Sequence, residues 1–172
     1  MKEDGIENFF KAMGVDVSVE MIFWLVSMQM KAESYGEYQF SEFLTGCQVN
    51  KCDTIEKWSQ VVPQLRNEIK KEDTYFEVYK FAGRFACEKG KKNLEIDWAL
   101  SLQELFLGKR CKFMDPWAKL LRAKRDSGKL LVLPRDTWDQ FYVLVRDTKG
   151  DIKNFVDDGS WPSLFDEFVA SM

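Results

Sequence analysis

Apolar side chains recur every three or four residues along most of this chain, and no apolar/polar alternation persists over six residues. That period belongs to helices that bury one face, so it points to a helix-on-helix core. The segment from Val19 to Ala32 is apolar nearly all round through Ile22, Phe23, Trp24, Leu25, Val26, Met28 and Met30, as a central helix or a groove wall must be. Thr74 to Cys87 puts Tyr75, Val78, Tyr79, Ala82, Phe85 and Ala86 on one face, and Leu94, Trp98, Leu102, Leu105 and Phe106 form the next stripe. No internal repeat or low-complexity tract is visible. A weak division near residues 70–75 gives two lobes, about 1–72 and 73–172.

Punctuation residues place the helix ends. Asp53-Thr54-Ile55-Glu56 reads as a helix start, with Asp53 as cap and Glu56 as its capping-box partner. That helix extends to about Lys71, and Pro63 predicts a kink or break near Val62. Asp115-Pro116 opens a helix carrying Trp117, Leu120 and Leu121, since proline fits a first helical turn. Lys124 to Lys129 reads as a polar loop. Pro134 opens a helix with Trp138, Phe141, Tyr142 and Val145. A last helix starts near Ser160-Trp161-Pro162, with Leu164, Phe165, Phe168 and Val169 inward and Asp166 and Glu167 pointing away.

Several kinds of chemistry are disfavoured by what the chain contains. It has no histidine among its 172 residues, so it lacks the usual acid–base group near neutral pH and the Ser–His and Cys–His nucleophile pairs. Its four cysteines (Cys47, Cys52, Cys87, Cys111) form no C-x2-C pair, and the expectation is reduced structural thiols in the cytoplasm and nucleus. The longest apolar run, Met21–Val26, is far too short to span a bilayer. A calcium loop needs oxygen ligands at set spacing around a glycine, which Asp147, Gly150, Asp151, Asp157 and Asp158 do not provide. No cofactor is expected. An enzyme working through Cys111 or through the paired carboxylates Asp157-Asp158 is the third-ranked reading, since such a pair more often forms a solvated turn.

Charge points to a basic protein partner. The formal net charge is −3, which speaks against nucleic acid. Residues 108–130 hold eight Lys/Arg against two Asp, whereas residues 131–172 hold eight Asp/Glu against four Lys/Arg. The C-terminal stretch is therefore a candidate acidic patch, with Asp136 and Asp166 flanked by aromatics that read as exposed. Plain helix electrostatics competes with that reading: an acid in a first turn is favoured by the dipole, and Ser160 is a plausible cap. The surplus of apolar residues around Phe23, Phe85 and Leu102 is core packing or a groove for an apolar peptide anchor.

These residues resemble the potentiating-neddylation domain of the defective-in-cullin-neddylation family. The likeness rests on Pro134-Arg135-Asp136-Thr137-Trp138, on Asp157-Asp158-Gly159-Ser160-Trp161-Pro162, and on Leu164-Phe165-Asp166-Glu167-Phe168-Val169. Ser41-Glu42-Phe43 with Cys52 to Lys57 adds a second block, and Phe76 through Lys112-Phe113-Met114-Asp115-Pro116-Trp117 a third. Asp4 to Phe10 resembles the second half of the family's first helical pair; the helix before it and a ubiquitin-associated domain have no counterpart in this sequence.

The resemblance implies an all-α fold of two EF-hand-like lobes without calcium, and a scaffold-type ligase role in cullin neddylation with no catalytic residues of its own. It implies that Asp136, Ser160 and Asp166 dock the basic C-terminal winged-helix domain of a cullin. Ser160 stands where the family usually has alanine. It also implies that Phe23, Val26, Phe85, Leu102 and Leu105, with Tyr35 and Tyr38 at the rim, receive the acetylated N-terminus of the neddylation conjugating enzyme. Tyr35 and Gly36 depart from the usual Gln and Cys. A generic helical adaptor, or a degenerate EF-hand regulator with another basic partner, is the alternative.

Overall fold

Helical periodicity translates directly into structure. A computed structural model describes residues 1–88, 90–91 and 93–172. Among the described residues there are nine α-helices and one antiparallel ladder with two residues per strand. The chain divides into two compact units, Met1–Lys89 and Gly90–Met172. The division expected at 70–75 falls instead between two helices of the first unit.

The first unit holds α1 (Glu3–Ala12), α2 (Ile22–Gln29), α3 (Phe40–Asn50), α4 (Ile55–Glu68) and α5 (Glu72–Phe85). Every residue of α2 from Ile22 to Ser27 is buried, which is why that segment is apolar all round: it contacts α3, α4 and α5. The packing of α5 on α2 keeps α5 in this unit. Ile6, Phe9 and Phe10 turn inward from α1. The Phe9 ring meets Phe43 of α3 and Trp58 of α4 edge-on, at centroid distances of 5.3 and 5.4 Å, an arrangement that aromatic quadrupoles favour.

Two local expectations shift. The cap of α4 is Thr54, whose Oγ1 accepts the Lys57 N–H at 3.4 Å, and Asp53 instead holds the Lys57 ammonium at 2.7 Å. Both residues are good caps; the one that takes the extended backbone conformation next to the first turn wins. Helix α4 also runs on through Pro63 rather than breaking near Val62. Ser59 and Pro63 are exposed, so the Ser59 carbonyl that proline leaves without a donor faces water, while buried Trp58, Val62 and Leu65 hold both halves of the helix in place.

The second unit holds β1 (Leu94–Glu95), α6 (Ile96–Leu107), α7 (Met114–Asp126), β2 (Val132–Leu133), α8 (Arg135–Asp147), a 3-10 turn at Ile152–Asn154, and α9 (Ser163–Ala170). Leu94, expected on a helical stripe, pairs with Leu133 in the ladder, and Glu95 pairs with Val132. Strands this short have no alternation to read. Helix α7 continues into the stretch read as a loop and stops at Asp126. There Gly128, at φ 71°, lets its own N–H reach the Arg125 carbonyl and the Lys129 N–H reach that of Lys124, both at 2.9 Å. This is the Schellman pattern that satisfies the last carbonyls of a helix.

Trp117 of α7 is the centre of this unit. It is stacked on Phe141 of α8 at 4.9 Å and meets Phe165 and Phe168 of α9 at 5.5 and 5.4 Å. Its indole N–H donates to Gln103 Oε1 of α6 at 2.9 Å. A helix of only eight residues is marginal alone, so α9 depends on Phe165 and Phe168, which are fully buried.

The loop after α8 passes close to the α6–α7 connection. Gly150 has φ 73°, and a Cβ there would lie 1.8 Å from the Arg110 carbonyl oxygen; the Gly150 carbonyl accepts the Lys112 N–H at 2.9 Å. Gly150→Ala is expected to destabilise the fold by about 2–4 kcal/mol, since backbone strain and collision add. Urea denaturation of the variant beside the parent measures this, and unchanged stability would contradict the close approach.

Candidate functional site

The acidic residues of the C-terminal stretch differ in how their charge is met. Glu167 pairs with Lys124, Asp147 with Arg146 at 2.8 Å, and Asp151 with Lys112 at 3.3 Å. Asp136 and Asp166 are exposed, and neither has an ion pair or side-chain hydrogen bond among the described residues. Each stands in the first turn of a helix, α8 and α9 respectively, where the positive end of the helix dipole favours a carboxylate. Their helices are anchored from beneath by Trp138, Phe165 and Phe168, all buried. The aromatics expected to flank them as exposed surface are therefore core.

Ser160 lies in the turn ahead of α9 and does not cap it; the preceding position is Pro162. Its N–H and its Oγ both donate to Asp158 Oδ1, at 2.9 and 2.6 Å. Those bonds hold the Asp158 carboxyl below its ordinary range, so it stays charged. Gly159 N–H donates to Asp157 Oδ1 at 2.9 Å, and the half-buried Trp161 donates its indole N–H to the Val156 carbonyl at 3.0 Å. The paired carboxylates thus organise a turn. Asp158, which sequence reasoning took as part of a solvated turn, fixes the Ser160 hydroxyl; an Asp two residues ahead of a Ser was the available signal.

The apolar candidates sit at different depths. Val26 and Phe85 are 0% and 1% exposed and Phe23 is 7% exposed, while Tyr35 is 44% exposed. Within the first unit the rings gather: Phe23 lies 6.0 Å from Tyr35 and 6.2 Å from Phe85, and Tyr35 lies 5.7 Å from Phe85. Trp24, absent from the expected set, stacks on Tyr35 at 5.9 Å. Leu102 and Leu105 belong to α6 of the second unit, where Leu102 is buried and Leu105 is partly exposed.

Tyr38, expected at a rim, is 1% exposed. Its hydroxyl meets Ser27 Oγ at 2.5 Å, and Ser27 Oγ donates to the Phe23 carbonyl at 2.7 Å. Because Ser27 has one proton and gives it to the carbonyl, Tyr38 is the donor between the two hydroxyls. Burial pushes the Tyr38 phenol well above its ordinary range. Tyr38 is thus a buried tie between the α2–α3 connection and α2.

The four cysteines are thiols, with Cys52 and Cys111 buried. Burial pushes the Cys111 thiol up to about 12, the opposite of what a nucleophilic thiolate requires. Among the described residues no group of three Cys, Asp or Glu side chains could hold a metal ion, and no helix is long and apolar enough to cross a membrane.

Residues 57–171 match the family model described as "Cullin binding". The chain is 30% identical over 166 residues to "DCN1-like protein 5" of Homo sapiens, covering 96% of this chain and 68% of that protein. It is 31% identical over 170 residues to "DCN1-like protein 3" of Xenopus laevis, covering 97% of this chain and 55% of that protein. It is 28% identical over 166 residues to "DCN1-like protein 4" of Homo sapiens.

The hydroxyl chain has an asymmetric consequence. Ser27→Ala leaves the buried Tyr38 O–H without an acceptor and is expected to cost about 1–3 kcal/mol. Tyr38→Phe leaves Ser27 still bonded to Phe23 and is expected to cost less. Chemical denaturation of the two variants tests the order; the reverse order would contradict the donor assignment.

Proposed function

The chain belongs to the cullin-binding, defective-in-cullin-neddylation family, and on that premise we propose that it is a scaffold-type ligase component of cullin neddylation. The cullin's basic winged-helix domain docks on the face carrying Asp136, Ser160 and Asp166. The observation that carries this reading is the state of Asp136 and Asp166: exposed, held on anchored helices, and free of internal cations while neighbouring acids are paired. Carboxylates in that state meet Lys or Arg of a partner without first breaking an internal pair. Such contacts steer encounter and set register. Ser160 adds little as a donor, because Asp158 already holds its hydroxyl.

The second element of the proposal is an apolar site for the acetylated N-terminus of the neddylation conjugating enzyme, to which the first unit contributes Phe23, Val26, Tyr35 and Phe85, with Tyr38 supporting from within. Tyr35 supplies the accessible ring, and the others supply an apolar floor. Acetylation removes the amino charge and with it the large cost of burying that charge. A buried methionine side chain contributes roughly 1.5–3 kcal/mol.

Scaffold catalysis suits a chain without histidine. The thioester and the attacking lysine belong to the partners. Holding both on one chain makes their encounter effectively intramolecular, which is worth about 7–11 kcal/mol for a well-oriented pair and less for a flexible tether with mM effective concentration. The compartments proposed are the reducing cytoplasm and nucleus, in keeping with four thiols.

Asp136→Arg with Asp166→Arg is expected to abolish binding of a cullin winged-helix domain at moderate salt in calorimetry, with the fold retained because both positions are exposed. Retained binding would remove the acidic face from the account. Independently, an acetylated N-terminal peptide of the conjugating enzyme is expected to bind at least about ten-fold tighter than its unacetylated form. Equal affinities would sink the peptide-site half of the reading alone.

A further inference from the structure

A cavity of about 410 Å³ opens between the end of α2 and the end of α5, lined by Met28, Lys31, Ala32, Glu33, Phe81, Arg84 and Phe85. Its volume is in the range of sites that hold a ligand group. The floor is apolar: Phe81 and Phe85 stack at 5.0 Å between centroids, and both are buried. The margin is cationic. Lys31 and Arg84 are exposed, come from different elements, and have no ion pair among the described residues. Arg66, Lys71 and Lys80 of this unit are engaged by Glu20, Glu68 and Glu77; Lys31 and Arg84 bring two charges without such a pair to the edge of one apolar cavity. Glu33 is the single carboxylate on the lining.

Lys31 is also held in place by the backbone. It has φ 56°, in the left-handed region where glycine is the usual helix-ending residue. Its N–H donates to the Met28 carbonyl and that of Ala32 to the Ser27 carbonyl, both at 3.0 Å. The side chain is thereby launched from a fixed point at the cavity edge.

We propose that this cavity docks an acidic peptide segment of a protein partner, with an apolar side chain entering over Phe81 and Phe85 and an adjacent carboxylate held by Arg84 and Lys31. The argument is charge complementarity over an apolar floor: Arg presents its donors in a fork that matches a carboxylate, and Lys adds a second positive charge. A basic segment would meet two like charges against one carboxylate. The inference goes beyond the proposed neddylation role. Phe85 is shared with the proposed peptide site, but none of the three charged residues belongs to that site or to the cullin-docking face, so failure here leaves both intact.

The test is a titration of the whole chain, by backbone amide shifts, with a peptide carrying a Leu-Asp-Glu core between Gly-Ser flanks and with its Leu-Lys-Lys twin. The acidic peptide is expected to give saturable shifts at Met28, Lys31, Ala32 and Arg84, and the twin none. Lys31→Gly with Arg84→Gln, which relieves the left-handed backbone and leaves the floor intact, is expected to weaken binding about ten-fold. Glu33→Gln is expected to tighten it about two-fold, as a lone surface charge does. Preference for the basic twin, shifts confined to another surface, absence of shifts in a folded sample, or indifference to the double substitution would each overturn the proposal.

Discussion

The second unit depends on Trp117. One indole joins four helices: it stacks on α8, meets two phenylalanines of α9 edge-on, and donates its N–H to Gln103 of α6. A buried indole N–H usually finds a partner, and for Trp117 the buried Gln103 supplies it. Because Phe165 and Phe168 are the attachment of α9, and Phe141 is the underside of α8, the same ring sets where the first turns of both helices stand. Asp136 and Asp166 occupy those turns. The surface chemistry is thus an outcome of core packing: the buried faces of α8 and α9 leave their acidic faces outward.

The first unit is organised around a different constraint. A helix buried on every side must satisfy any polar group it carries, and α2 carries Ser27. Ser27 answers the Phe23 carbonyl and receives Tyr38, which ties the following loop to the helix. With Tyr38 drawn inward, Tyr35 is left outward against Trp24 and Phe85. Two tyrosines three residues apart end up with opposite roles, one structural and one accessible.

That contrast marks what a sequence can and cannot convey here. The all-helical class and the inward phase of Trp117, Trp138, Phe141, Phe165 and Phe168 follow from three- and four-residue spacing, because a helix that must bury one face repeats it. The same phase leaves Asp136 and Asp166 outward, so the exposure of two residues proposed for docking is legible. Features set by through-space partners were not. The ladder of Leu94 with Leu133 joins strands too short for a pattern. Pro63 stays helical because of where Ser59 faces. The Lys124–Glu167 pair spans 43 positions, and only that pairing separates Glu167 from Asp166 as a surface charge. Tyr38 read as a rim residue because nothing in the sequence ties it to Ser27.

Asp136 and Asp166 present uncommitted charges on helices anchored by buried aromatics, and in the first unit Tyr35 presents an accessible ring over buried Phe23 and Phe85. The most direct test is a titration with the isolated winged-helix domain of a cullin, followed through backbone amide shifts. The account predicts saturable shifts centred on Asp136, Ser160 and Asp166, weakening as salt is raised. A folded sample at low salt that gives no shifts at those residues would contradict it.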